Sequence, residues 1–219
     1  DSAPGTVDAY SDLGFMLSER MLEENSGQDL YQFTRKYLFE HLQCSPPQYL
    51  PLEQEAVRDS HEFAATEHCH WRGYIVSGEV HDENAYVLGG VAGHAGLFGT
   101  AVQVKCVLDA ILDTISPGDA DVPWSKDILL EFLRPQNLVP DSSWALAFDT
   151  PSGSDSSAGR HFSAETVGHL GFTGTSFWLD LNRKTAVILL TNRVHPSRNN
   201  DRIKEFRPLL HDTVMEVFG

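Results

Sequence analysis

The sequence predicts an α/β (α+β) domain built around an antiparallel sheet. Apolar residues recur at helical spacing in two stretches: Leu13, Met16, Leu17, Met21 and Leu22, then Val104, Val107, Leu108, Ile111, Leu112 and Ile115. Near the C-terminus two extended runs, Thr166 to Asp180 and Lys184 to Asn192, are separated by Leu181-Asn182-Arg183 and read as a β-hairpin. No internal repeat is visible, and helices first with an antiparallel pair last define the class. At 219 residues the chain suits one domain, or one domain and a lobe, with a real core.

Each element has local reasons. The first helix starts after Tyr10, with Asp12 as N-cap and Gly27 closing the end. A second follows from Asp29, with Leu30, Phe33 and Tyr37 on one face. From Cys44 to Asn84 the pattern dissolves into Pro, His and Glu, a long and partly extended connection of the kind that carries functional loops. Thr100 caps the Val104–Ile115 helix, which Pro117 and Gly118 end, and Ser125 caps another that stops at Pro135. Ser143 to Phe148 alternates weakly, as a strand would. Residues 151–159 form a flexible Ser/Gly connection. Ile203, Phe206, Leu210, Val214 and Val217 give a closing helix that Pro208 bends or restarts.

Composition narrows the function. A formal charge of −15 disfavours nucleic acid and anionic membranes, because phosphate binding needs a basic face. No apolar run approaches the ~18 residues that span a bilayer, and no signal-like segment opens the chain. Cys44, Cys69 and Cys106 are odd in number and far apart, so they read as free thiols rather than a disulfide framework. His68 and His70 flank Cys69 at alternate positions, with His61 nearby, and a structural metal there is a minor hypothesis. No second ligand pair stands at zinc-like spacing, and the expectation is no metal and no cofactor.

Gly168, Gly171 and Gly174, three apart, imitate a phosphate loop. Such a loop should open a helix and carry a lysine, whereas here the glycines lead into Thr-Ser-Phe-Trp-Leu. Glycine in a strand instead marks close approach by another backbone or a ligand. His169-Leu170-Gly171, on a strand that turns back, resembles the third motif of the serine penicillin-binding-protein and β-lactamase superfamily. Tyr10-Ser11-Asp12, opening an apolar helix, resembles the second motif of the class C and esterase branch, usually Tyr-x-Asn. Residues 89–101, GGVAGHAGLFGTA, resemble the glycine-rich segment of that branch. The ordered set covers nearly the whole chain and looks like a bacterial subfamily of these hydrolases.

The resemblance implies a β-lactamase/transpeptidase-like fold, an antiparallel sheet flanked by helices plus a helical lobe. It would place about residues 10–150 in the lobe and about 160–219 in the sheet hairpin and closing helix. It also implies acyl transfer through a serine ester, with a Tyr phenol and a Lys sharing the proton. Tyr10 would be the shuttle, though a phenol is a poor base near neutrality unless cations stabilise it. His169 replaces the usual Lys and is only partly charged near pH 7, which leans toward ester or peptide-like substrates over a β-lactam carboxylate. Gly171 would let substrate lie against the strand, and the Phe172 N–H would be an oxyanion donor. Asp12, Asn84 and His94 are expected on the substrate side of the site. Asp12 departs from the family's Asn.

No Ser-x-x-Lys occurs in the 219 residues. The expectation is therefore a C-terminal portion of one serine hydrolase domain, spanning 1–219, inactive alone because its nucleophile lies elsewhere. The partners expected are a small ester, peptide or β-lactam substrate, and an N-terminal chain or a second copy. The location expected is a bacterial cytoplasm or periplasm. The alternative is a non-catalytic remnant or interaction module on the same fold.

Overall fold

Helix α1 (Leu13–Ser26) closes where Gly27 takes a φ of 69° and sends its N–H to the Glu23 carbonyl. Asp12 occupies the N-cap position, but its carboxylate makes no capping bond. The sequence expectation is corrected there: a nearby polar cluster, described below, takes the side chain instead. Asp29 does cap α2 (Leu30–Tyr37), accepting from the Gln32 N–H at 2.7 Å. These elements belong to a computed structural model that describes residues 3, 5–54, 62–117, 122 and 124–219. His61 and Gly118 lie outside the described residues. The chain divides into two units, residues 10–107 with 191–200, and residues 1–9 with 108–190 and 201–219.

In the first unit, β1 (Gln48–Tyr49) and β4 (Leu97–Phe98) pair antiparallel, as do β2 (His68–Cys69) and β3 (Tyr74–Ile75). Helix α3 (Glu83–Val87) starts at Asp82, which accepts from the Ala85 N–H at 2.8 Å. Helix α4 (Ala101–Ile115), of which residues 101–107 belong to this unit, follows Thr100, whose hydroxyl takes the Gln103 N–H as expected of a cap. Cys44 and Cys106 are joined in a disulfide with Cα atoms 6.1 Å apart, which corrects the free-thiol expectation. Their separation of 62 residues hid the pair; the β1–β4 ladder closes that loop. Cys69 alone stays a buried free thiol.

An ionic knot around the buried Glu67 carboxylate fastens the returning segment 191–200 to this unit. The Glu67 carboxylate receives the Arg198 Nε at 2.8 Å and Nη2 at 2.6 Å, the Arg198 N–H at 3.1 Å and the His81 Nε2 at 3.0 Å. Arg198 also reaches Glu83 at 2.5 Å. Its hydrogen bonds to Glu67 hold that carboxyl down to about 2, against the opposing effect of burial.

In the second unit a three-stranded antiparallel sheet runs in the order β5 (Thr166–Leu170), β6 (Ser176–Asp180), β7 (Thr185–Leu189). The sequence reads β5 and β6 as one extended run, and this is corrected: residues 171–175 are a turn, with Gly174 at a φ of 115°. Trp178 and Leu179 of the central strand are fully buried. Asp180, also fully buried, accepts the N–H groups of Ser163, Asn182 and Arg183 and so shapes the β6–β7 turn. Burial alone would raise its pKa; the Arg183 and Ser163 hydrogen bonds bring it below the usual carboxylate range.

Residues 143–148 are no strand, which is a second correction. A single bridge joins Trp144 to Asp149, and Ala147 has a φ of 66° that breaks any extended run. Ser125 stands at the N-cap of α5 (Lys126–Leu133) with no capping bond from its hydroxyl. Helix α6 (Ile203–Phe218) runs through Pro208 as one element. Asp149 exchanges both backbone hydrogen bonds with Gly168, at 2.8 Å each.

Two substitutions test these units. Glu67→Ala removes the buried carboxylate that receives Arg198 and His81, while the partly exposed Arg198 keeps Glu83, and should cost about 1–2 kcal/mol in denaturant unfolding. Because the folded pKa lies below the ordinary 4.5, wild-type stability from this tie is complete above that pH and fades as pH falls toward about 2. The variant should lack this acid-dependent component. At Gly168 an added Cβ would strike the Trp178 ring and the Phe177 carbonyl, neither free to yield. Gly168→Ala should lose about 2 kcal/mol or more by overpacking, read as a lowered unfolding midpoint.

Candidate active site

Tyr10 precedes α1, 61% exposed, and its hydroxyl shares a hydrogen bond with Asp12. Burial of the remaining surface, then the Asp12 charge and hydrogen bond, then the Asp82 charge, all push the phenol above its ordinary value. The local field is thus acidic, opposite to what a phenolate shuttle requires.

The glycine-rich segment delivers His94 to the same place. Ala92 and Ala95 exchange backbone hydrogen bonds across Gly93-His94, and the Gly93 N–H binds the Glu19 carboxylate of α1 at 2.8 Å. A Cβ at Gly93 would stand 2.9 Å from the Phe15 carbonyl, so glycine is needed where the loop crosses the helix. Beneath, Val80, Ala85 and Ala92 form a small core with Tyr86 and Ala95. The His94 side chain is 2% exposed and its Nε2 lies 2.9 Å from Asp82 Oδ1. Asn84 is exposed in the first turn of α3, and its backbone N–H binds Asp82.

Asp12, Asp82 and His94 offer atoms within 4.8 Å of one another, a spacing that a cation would accept. The histidine argues against that role. Its Nδ1 is buried with no hydrogen-bond partner among the described residues. Ligation through Nε2 would put the proton on Nδ1 and bury an unpaired N–H, whereas metal-binding histidines normally donate from the second nitrogen. The tautomer with Nε2–H donating to Asp82 avoids this. His68 and His70, with ring centroids 5.8 Å apart, gather no third ligand among the described residues.

The other predicted residues stand in the second unit. His169 is the penultimate residue of β5, its Nδ1 2.9 Å from the Leu170 carbonyl oxygen and its ring 5.8 Å from that of Trp144. Gly171 opens the turn, and its N–H donates to the Thr175 carbonyl at 2.8 Å. Phe172, 58% exposed, follows at the tip. Asp149 was missed by sequence reasoning. Burial raises its pKa, opposed by the Ser143 hydroxyl at 2.6 Å, the Thr150 N–H and the positive influence of His169. Nothing in Phe148-Asp149-Thr150 signals this partnership; only the Asp149–Gly168 bridge creates it. Asp82 was likewise passed over as one letter of a loop.

The model of the β-lactamase family matches residues 1–210. The chain belongs to the β-lactamase family. It is 33% identical over 210 residues to the N-acetylmuramyl-L-alanine amidase of Bacillus subtilis strain 168, covering 89% of this chain and 46% of that protein. Against an Escherichia coli K12 protein bearing the name of a D-alanyl-D-alanine carboxypeptidase, identity is 26% over 204 residues, with 88% and 46% covered. The chain spans about half the length of the curated relatives it matches. Among solved structures, a β-lactamase from Mycobacterium bovis superposes with a TM-score of 0.66 at 17% identity, over 98% of this chain and 66% of that one. That likeness is one of fold. The mixed α/β, β-lactamase-like architecture read from the sequence is therefore present, and the relatives named here are bacterial. No helix among the described residues is long and apolar enough to cross a membrane.

In this β-lactamase-family chain, Asp12→Asn removes a charge and alters the hydrogen bond that raise the Tyr10 phenol. The phenol should then titrate at lower pH than in the wild type, while burial and Asp82 keep it above an exposed tyrosine. Ring-carbon NMR through a pH series, assigned with Tyr10→Phe, reads this. An unmoved titration would mean that Asp12 does not govern the phenol.

Proposed function

We propose that this chain is the C-terminal portion of a serine hydrolase of the β-lactamase, D-alanyl-D-alanine carboxypeptidase and esterase type, with residues 1–219 forming part of one domain. The observation that carries the reading is motif order within the family-matched span: Tyr10-Ser11-Asp12 before α1, the glycine-rich segment before α4, and His169-Leu170-Gly171 ending β5. No Ser-x-x-Lys accompanies them, so the nucleophile belongs to a segment outside these residues. The half-length coverage of the relatives supports that placement. Helix α1 supports it too: it buries none of its residues, and Leu13 and Leu17 are 72% and 63% exposed.

In the proposed reaction the serine Oγ attacks a carbonyl carbon and its proton passes to the Tyr10–Lys pair. The Phe172 N–H helps hold the oxyanion, the leaving group departs with a proton, and water cleaves the resulting ester. Asp12 and Asp82 would receive the incoming ammonium, which offsets the field that now keeps the phenol protonated. His94 acts on this site through Asp82, and Asn84 stands exposed beside it. His169 in place of Lys favours an ester or peptide amide over a lactam carboxylate. The names of the relatives point to N-acetylmuramyl-L-alanine amides or D-alanyl-D-alanine peptides.

A second reading, a non-catalytic module on the same fold, draws on the acidic surroundings of Tyr10. A serine-reactive fluorophosphonate separates the two. The 219-residue chain alone should stay unlabelled and should associate in light scattering, since β7 pairs on one side only among the described residues. The longer protein should take label on the serine of a Ser-x-x-Lys. Label on a serine of this chain, carried by a monomer, would refute the assignment; a longer protein that takes no label would favour the module.

A further inference from the structure

The turn between β5 and β6 is tied from behind. Arg207, on α6, is 7% exposed, and its Nη2 donates to two carbonyls at once: Gly171 at 2.8 Å and Thr175 at 2.7 Å. The Gly171 oxygen also receives the Gly174 N–H at 3.1 Å, and the Gly171 N–H goes to Thr175 at 2.8 Å. Both ends of the five-residue turn thus converge on one buried guanidinium.

The consequence follows from peptide planarity. The bond between Gly171 and Phe172 is trans, the cis bond among the described residues being His195–Pro196. In a planar trans peptide the C=O and the following N–H point in opposite directions. Holding the Gly171 oxygen toward Arg207 therefore aims the Phe172 N–H away from it. A cationic donor on the oxygen also draws electron density through the amide and makes that N–H a stronger donor.

We propose that Arg207 is a positioning residue for acyl transfer: by holding the Gly171 carbonyl it aims and polarises the Phe172 N–H toward the oxyanion. The proposal rests on the hydrolase reading above, which gives that N–H its role. It concerns rate rather than affinity, because the oxyanion exists only as the reaction proceeds. Arginine is needed for a charged donor that reaches both carbonyls from a rigid plane; a lysine ammonium can reach one or both with less directional control.

Arg207→Met, Arg207→Lys and Arg160→Met test this. Arg160 binds Asp212 of α6 at 3.2 Å and makes no hydrogen bond to the turn among the described residues, so its variant reports loss of an α6 anchor. In the isotopically labelled 219-residue chain, Arg207→Met should move the Gly171 carbonyl carbon and the Phe172 amide, with amides of β6 in place. Arg207→Lys should move them less, and Arg160→Met should leave both where they are. In the longer protein that carries the nucleophile, Arg207→Met should lower kcat by about tenfold to a hundredfold with KM little changed, within the range for a weakened oxyanion donor. Arg207→Lys should recover part of the loss.

Unmoved Gly171 and Phe172 signals in Arg207→Met overturn the proposal. So does an equal fall of kcat in Arg160→Met, which would mark general loosening. If Arg207→Met fails to fold, an Arg207→Lys protein with wild-type signals and wild-type kcat overturns it as well. An inactive wild-type longer protein sinks the hydrolase reading, and with it the catalytic sense of the tie, even where the Gly171 signal responds.

Discussion

Register in the β5–β6 pair is the constraint on which the second unit depends. Gly168 lies opposite Trp178, and the space a side chain would take at Gly168 is filled by that indole. A one-residue slip would send every side chain to the other face. Here it would also set a residue with a Cβ against a fully buried ring. The same register carries His169 to the end of its strand and puts Gly171 where the turn must begin. Asp180, at the far end of β6, closes the β6–β7 turn with backbone donors and leaves the strand little freedom to shift.

The first unit is organised by charge rather than by a large aromatic. Its glycine-rich loop reaches α1 through one backbone N–H on Glu19, and its returning segment is clasped by Glu67. These contacts join residues far apart in sequence, 74 positions for Gly93 and Glu19 and 131 for Arg198 and Glu67. Such contacts, among them a buried Glu67 with a partly exposed Arg198, contribute modest net stability. They make the arrangement specific, which suits a unit that must hold two aspartates and a phenol close together.

How much of this was legible follows from range. Helices α1, α2 and α4 could be read because periodicity and caps act within a few residues, as at Gly27 and Asp29. The β5–β6 turn was not resolved from its flanking strands, because Gly171, Thr173 and Gly174 serve an extended run and a tight turn equally well until Arg207 and Thr175 supply partners. Residues 143–148 look like a strand because alternation carries no information about the φ of 66° at Ala147. Tyr10, His94, His169 and Gly171 were singled out through motifs. Asp82, Asp149 and Arg207 were not, since each takes its place from a contact made across the fold.

On the hydrolase reading, the phenol that would move a proton sits among acids. Asparagine at the position of Asp12 would be neutral and able to donate; aspartate is charged and accepts only. With Asp82 beside it, the pair keeps the Tyr10 proton in place and makes the phenolate costly. An ammonium entering that field would be stabilised by both carboxylates and would stabilise the phenolate in turn, reversing the sign of the local field. The proton could then move only in the assembled site. On the hydrolase reading, the aspartate makes the chemistry conditional on the lysine, so this chain by itself holds its shuttle in the protonated state.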